Sequence, residues 1–125
     1  MKFINSKIHG IIDYLFIVVL IFIPLFLDLS GFVTSYIYVL ATLAFLIAIT
    51  TDYEVGAFRR IPFPMHGIIE LFFGILLVIS PWIFQFADLE TERNIFLVLG
   101  LFVLLLFTFT KFKRDSSKNM ASSEA

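Results

Sequence analysis

The chain has 125 residues, of which 60% are hydrophobic and 17 are phenylalanine, and its mean hydropathy is +1.00. Soluble domains are only about 45–50% apolar, so this composition excludes an ordinary soluble globular fold and indicates a membrane protein. The net charge of −1 gives no reason to expect a nucleic-acid partner. Because there is no cysteine, disulfides, thiol nucleophiles and thiolate metal sites are also excluded.

Four apolar runs follow one another along the chain, and each has the roughly 17 to 20 residues that a helix needs to cross a hydrocarbon layer of about 30 Å. The runs predict helices near residues 8–27, 32–51, 65–86 and 94–110. A short polar turn follows the first run and another follows the third, which predicts two helical hairpins. The first run is predicted to be a retained helix and not a cleaved signal peptide, since Asp13 interrupts it.

The first and third runs are copies of one pattern. His9-Gly-Ile-Ile-Asp13 returns as His66-Gly-Ile-Ile-Glu70, and both copies open an apolar run. The matched positions continue along both runs at steps that trace one stripe of an α-helix: Phe16 with Phe73, Leu20 with Leu77, and Pro24 with Pro81. We therefore predict an all-α membrane protein of two tandem hairpins, related by a pseudo-two-fold axis along the membrane normal.

The repeat also divides the chain. Residues 1–56 form the first predicted repeat, residues 57–112 form the second, and the charged, Ser-rich residues 113–125 form a predicted disordered tail.

Basic residues predict the orientation of the protein in the membrane. With four spans, both termini and the central link share one side, and eight of the nine Lys and Arg residues belong to that side: Lys2, Lys7, Arg59, Arg60, Lys111, Lys113, Arg114 and Lys118. The other side has only Arg93. By the positive-inside rule, both termini are expected to be cytoplasmic in a cell (inner) membrane, with Arg59 and Arg60 as cytoplasmic anchors at the lipid headgroups.

The repeated motif places chemistry-bearing residues together. A His and the carboxylate four residues later lie on one helix face, about 6 Å apart. If the two matched stripes face each other, His9, Asp13, His66 and Glu70 converge in the cytoplasmic leaflet, and Asp52 at the end of the second helix lies at the same depth. Imidazoles with carboxylates are ligands for Zn²⁺, Mn²⁺ or Fe²⁺, and the same groups also transfer protons.

Two other interpretations of the cluster stay open. His9 and His66 are also the ligand pair that a b-type haem would need. Alternatively the cluster is purely structural, with the carboxylates paired to the adjacent imidazoles so that the two repeats stay in register. The sequence has no Gly-rich phosphate loop, no Gly-x-Ser-x-Gly and no His-Glu-x-x-His, so it predicts no catalytic residue.

The third run ends in Ser80-Pro81-Trp82, and at this point the chain resembles the SPW-repeat family of small integral membrane proteins. In that family a repeat of two transmembrane helices has this motif in its first helix. The first repeat of this chain departs from the pattern, with Ile23-Pro24-Leu25 at the same place. The resemblance implies a membrane architecture and no established activity. We therefore predict a structural or accessory membrane module, with the lipid bilayer and either a second copy or another membrane protein as its partners.

Overall fold

The computed structural model describes residues 2–112, which form four α-helices. They are α1 (Ser6–Phe26), α2 (Gly31–Thr50), α3 (Phe63–Ile83) and α4 (Glu90–Phe109), and all four are long and apolar enough to cross a membrane. The predicted all-α class and its four spans are confirmed. Helix α4 begins at Glu90, earlier than predicted, because acidic residues are favourable in the first turn of a helix. The predicted disordered tail lies outside the described residues.

The helices run alternately up and down, and the most extensive contacts lie within the hairpins, between α3 and α4 and between α1 and α2. At the end that holds the first and last described residues, which we call the termini end, backbone bridges join Ile4 to Thr110 and Thr51 to Ile61. At the opposite end, the backbone N–H of Ser30 donates to the carboxylate of Glu92 over 3.3 Å. The two hairpins are therefore connected at both ends of the bundle.

The repeated stripe faces the interior of the bundle. Leu20 and Leu77, which match in the repeat, are both fully buried, and the histidines at the start of each stripe are buried as well. Leu15, Phe72 and Val98 on the outer faces are at least 60% exposed. Because lipid chains are as apolar as these side chains, such an outer surface suits a bilayer. The equal burial of matched residues supports the repeat, and the pseudo-two-fold axis stays a prediction.

The Ser-Pro-Trp motif lies at the end opposite the termini. Ser80 is fully buried, and its hydroxyl donates to the carbonyl of Leu76 over 2.5 Å. A hydroxyl has one hydrogen, so the Tyr36 hydroxyl, 2.7 Å away, donates to Ser80 and links α2 to α3. Trp82 is 57% exposed, as expected for a residue that faces lipid or the interface.

Two glycines allow α3 and α4 to approach closely. A Cβ atom on Gly100 would lie 2.9 Å from the backbone nitrogen of Val78 and 3.0 Å from the carbonyl oxygen of Gly74. A Cβ atom on Gly74 would in turn lie 2.8 Å from the side chain of Leu104. Small residues at such crossings let transmembrane helices pack backbone against backbone.

We expect Gly100→Ala to lower the free energy of unfolding by about 1–3 kcal/mol, as overpacking does in other cores. The reason is that the added methyl group meets backbone atoms, which no change of rotamer can move. The matched control is Gly31→Ala, since nothing lies within 4 Å of a Cβ at that position. Thermal unfolding in detergent checks the difference, and equal melting temperatures for the two variants would contradict the close approach.

Candidate functional site

Four ionisable side chains from α1 and α3 meet at the termini end. Nε2 of His9 lies 3.3 Å from Oδ1 of Asp13 and 3.0 Å from Oε2 of Glu70. Nε2 of His66 lies 3.1 Å from Oδ2 of Asp13. Asp13 thus contacts both imidazoles, and Glu70 contacts the imidazole of the other repeat. We call these four residues the His-carboxylate cluster.

Two threonines hold the other nitrogen of each imidazole. Thr51, just after α2, donates its hydroxyl hydrogen to the carbonyl of Ile47 and lies 2.7 Å from Nδ1 of His66. Thr110, just after α4, donates to the carbonyl of Leu106 and lies 2.8 Å from Nδ1 of His9. Because each hydroxyl hydrogen is already used, each threonine oxygen accepts from an Nδ1–H group. Both imidazoles therefore carry a proton on Nδ1 and direct Nε2 at the carboxylates.

The glycine after each histidine makes room for an aromatic ring. A Cβ atom on Gly10 would lie 3.1 Å from the ring of Tyr53, and one on Gly67 would lie 2.8 Å from the ring of Phe112. These rings contact the histidines of the cluster: Tyr53 with His66 at a centroid separation of 5.5 Å, and Phe112 with His9 at 5.4 Å. The ring beside the glycine of one repeat thus contacts the imidazole of the other repeat.

Tyr53 also bonds directly to the cluster. It is almost fully buried, and its hydroxyl donates to Oδ2 of Asp13 over 3.1 Å. Burial raises the pKa of the Tyr53 phenol above its ordinary value, and the nearby charge of Asp13 raises it further. The phenol therefore stays protonated and remains a donor to Asp13.

Three ligand atoms of the cluster lie close enough together to contact one cation. One ligand atom each from His9, His66 and Glu70 lies within 4.8 Å of the others, and all three residues are buried. Ligands bound at about 2.0–2.2 Å to one ion, with tetrahedral to octahedral angles, lie roughly 2.8–3.6 Å apart. The 3.0 Å between Nε2 of His9 and Oε2 of Glu70 falls within that interval, and the separations of 3.3 and 3.1 Å join the two imidazoles to the two oxygens of Asp13.

Two atoms at the centre of the cluster lack a hydrogen-bond partner among the described residues. They are Nε2 of His9 and Oε2 of Glu70, which are buried and only 3.0 Å apart. Their separation suits a hydrogen bond, but their geometry does not. Buried polar atoms without a partner are rare in folded proteins and require an explanation.

A cavity of about 50 Å³ adjoins the cluster on its membrane side. Asp13, His66 and Glu70 line one part of it, and apolar side chains from all four helices line the rest. This volume has room for a few water molecules, since one needs about 10–15 Å³ on the same measure. The polar groups at one end supply the hydrogen bonds that such waters require.

The structure brings together four of the predicted site residues, namely His9, Asp13, His66 and Glu70. Asp52 lies beyond the end of α2, and its backbone N–H donates to the carbonyl of Ile61 over 2.7 Å. Arg59 and Arg60 are exposed in the same link, with the Arg59 guanidinium bonded to the carbonyls of Gly56 and Glu54. Ser80, Pro81 and Trp82 lie at the opposite end of α3, away from the cluster.

Three residues of the site, Thr51, Thr110 and Tyr53, were not predicted from the sequence. The sequence does contain a pattern that would identify the threonines, because each lies directly after the second helix of its repeat. They are 59 residues apart, however, whereas the histidines are 57 apart, so a fixed repeat spacing does not align them. For Tyr53, the counterpart at the same spacing is Phe112, which has no hydroxyl.

We expect Thr51→Val to destabilise the protein by about 1–3 kcal/mol, because it leaves the buried Nδ1–H of His66 without an acceptor. The matched control is Thr50→Val, since the Thr50 hydroxyl bonds only to backbone carbonyls of its own helix among the described residues. Chemical denaturation in detergent measures the free energy of unfolding of both variants. If the neighbouring control loses as much stability as Thr51→Val, the threonine does not hold the histidine.

Comparison with known proteins identifies one family that matches the chain. No curated protein and no solved structure matched the chain. The model of the SPW repeat domain matches residues 7–110, which span all but the first residue of α1 and the whole of the other three helices. Together with four helices that can cross a bilayer, this match establishes a small multi-pass membrane protein. The chain belongs to the SPW repeat domain family.

Proposed function

We propose that this protein binds one divalent transition-metal ion within the membrane domain, at the His-carboxylate cluster. His9, His66 and Glu70 supply the ligand atoms through Nε2, Nε2 and a carboxylate oxygen. Asp13 contacts both imidazoles and is either a fourth ligand or the group that orients them. The single observation that carries the proposal is the pair of buried, partnerless atoms on His9 and Glu70.

A metal ion explains those two atoms better than a purely structural cluster does. In a structural cluster, Nε2 of His9 would carry a hydrogen and donate it to a carboxylate, yet this nitrogen has no acceptor in hydrogen-bond geometry among the described residues. A metal ion instead takes lone pairs from both atoms and requires no alignment of an N–H bond. The proton fixed on Nδ1 by Thr110 leaves the lone pair of Nε2 available.

Charge balance also favours a cation. Asp13 and Glu70 together carry two negative charges when ionised, and in the described part of the chain their ion-pair partners are the two histidines. A divalent ion bound by neutral imidazoles compensates both carboxylates without burying two imidazolium groups. Ionised side chains inside membranes are costly unless they are paired or coordinate a metal.

The ligand set narrows the identity of the ion. Two imidazole nitrogens with carboxylate oxygens are borderline-to-hard ligands, which suit Zn²⁺, Fe²⁺ and Mn²⁺, and the chain has no thiolate to favour Cu⁺. A b-type haem does not fit. The rings of His9 and His66 lie 5.3 Å apart with Asp13 in contact with both, and the adjoining cavity is far too small for a macrocycle.

Proton transfer is a second candidate, and the cavity is the observation that favours it. Waters within it would connect Asp13, His66 and Glu70 to the interior of the bundle. His and carboxylate groups in such a setting commonly mark proton paths. This candidate predicts no bound metal, so one experiment separates the two.

The cluster is assigned to the cytoplasmic leaflet of a cell (inner) membrane on the distribution of basic residues. The termini end holds the cluster together with the predicted cytoplasmic residues Lys2, Lys7, Arg59, Arg60 and Lys111. Positive charge concentrates in cytoplasmic loops of membrane proteins.

The first test is metal content after purification in mild detergent. We expect about one equivalent of Zn, Mn or Fe per chain in the natural protein and less than a tenth of that in His9→Gln and in His66→Gln, since each variant removes a ligand. Elemental analysis by mass spectrometry gives the number.

The matched control for this test is Tyr53→Phe, which removes a hydrogen bond to Asp13 but none of the proposed ligand atoms. It should retain the metal. A natural protein without metal, or histidine variants that keep it, would overturn the proposal and leave proton transfer or a structural cluster.

Metal removal should also lower stability. A ligand present at a hundred times its Kd stabilises the folded state by about 2.7 kcal/mol, and a chelator removes that contribution. We therefore expect EDTA to lower the melting temperature of the natural protein and restored Zn²⁺ to recover it. The melting temperatures of the histidine variants should change with neither EDTA nor Zn²⁺. An equal effect of EDTA on these variants would contradict the proposed metal site.

A further inference from the structure

A second cavity opens at the termini end, on the outer side of α3 and α4. Its volume is about 390 Å³, and its lining includes two lysines, Lys2 and Lys111, with Ile68, Phe107 and Phe112. We call it the lysine groove. The ring of Phe112 separates the groove from the His-carboxylate cluster, because it also contacts His9. The groove is therefore a distinct surface feature and not part of the proposed metal site.

Backbone pairing brings the two lysines to the same groove. The N–H groups of Phe3 and Ile4 both donate to the carbonyl of Phe109, each over 3.0 Å. The N–H of Lys111 donates back to the carbonyl of Ile4 over 2.9 Å. The segment before α1 thus lies against the end of α4, and Lys2 reaches the groove formed by the second repeat. Both lysines are exposed, and neither forms an ion pair with any residue from 2 to 112.

The groove is cationic at its edge and apolar along its wall. Ile68 is 51% exposed on the outer face of α3, and Phe107 is partly exposed on α4. Both lie within membrane-spanning helices, whereas Lys2 and Lys111 lie just outside them. The ammonium groups are therefore at headgroup level and the apolar wall extends into the acyl region.

We propose that the lysine groove binds one anionic phospholipid, with its phosphate at Lys2 and Lys111 and an acyl chain along Ile68 and Phe107. Basic pockets between transmembrane helices on the cytoplasmic side are the sites at which anionic lipids bind. An amphiphile satisfies both parts of the groove, whereas a soluble anion leaves the apolar wall uncovered and an apolar partner leaves two lysines without a counter-ion.

The corresponding surface of the first repeat has Arg59 at the position that corresponds to Lys2, but it differs from the groove at two other lining positions. At the repeat spacings, Lys111 corresponds to Asp52 and Phe107 to Ala48. The counterpart therefore has a carboxylate where the groove has an ammonium group, and a methyl group where it has an aromatic ring. We infer one lipid per chain, at the groove of the second repeat only.

The test is native mass spectrometry of the full chain in detergent, titrated with phosphatidylglycerol and, separately, with phosphatidylcholine. The natural protein should retain one phosphatidylglycerol in preference to phosphatidylcholine. In the double variant Lys2→Gln/Lys111→Gln the affinity for phosphatidylglycerol should fall roughly tenfold or more, because each surface lysine contributes substantially to binding of an anionic lipid. Both lysines are exposed, so the double variant should melt at the natural temperature.

The matched control is Lys7→Gln/Arg60→Gln, which removes the same charge from exposed positions at the same end. It should change the affinity by less than twofold. An equal loss in both double variants would show general attraction to basic residues and would overturn the proposal. Displacement of the lipid by millimolar inorganic phosphate would also overturn it, since the groove would then recognise an anion alone.

Discussion

The interaction on which the rest of the structure depends is the contact of two carboxylates, the partly buried Asp13 and the buried Glu70, with two buried imidazoles. In a bilayer, apolar side chains gain little by moving from lipid to another helix, so polar contacts have a large share in deciding which helices meet and in what register. Here His9 and Asp13 come from α1, and His66 and Glu70 from α3. The threonines after α2 and α4 complete the set. Every helix therefore contributes to, or ends at, one polar centre.

The Ser-Pro-Trp motif, from which the family takes its name, lies at the other end of the bundle. From His66 to Ser80, α3 rises about 21 Å at 1.5 Å per residue, which places the motif across most of the hydrocarbon layer from the cluster. There the buried hydroxyl of Ser80 accepts from Tyr36 and fixes α3 against α2, while Trp82 faces outward. The motif is thus a packing and interface element, and the repeated His-Gly-x-x-carboxylate sequence is where ionisable groups concentrate.

The spans and the interior stripe were predictable, because the spans follow from the length of the apolar runs and the stripe follows from helical periodicity. Leu20 and Leu77 are buried where the repeat places them. The surroundings of the cluster were not predictable, since they depend on where α2 ends. Thr51 has extended backbone, with φ −80° and ψ 141°, and the chain then turns tightly, with the N–H of Tyr53 donating to the carbonyl of Thr51 over 3.0 Å. Both Thr51 and Tyr53 are buried. Asp52, predicted from its depth alone, lies between them.

The differences between the repeats follow from the chemistry at their shared centre. Two carboxylates placed close together repel each other unless positive groups lie between them. With Asp13 in one repeat and Glu70 in the other, the shorter side chain contacts both imidazoles and the longer one extends to His9. Tyr53, in place of a second phenylalanine like Phe112, adds a donor to Asp13. The two repeats thus differ at the few residues that line the polar centre. In the apolar stripe beyond it, the matched leucines are the same in both repeats.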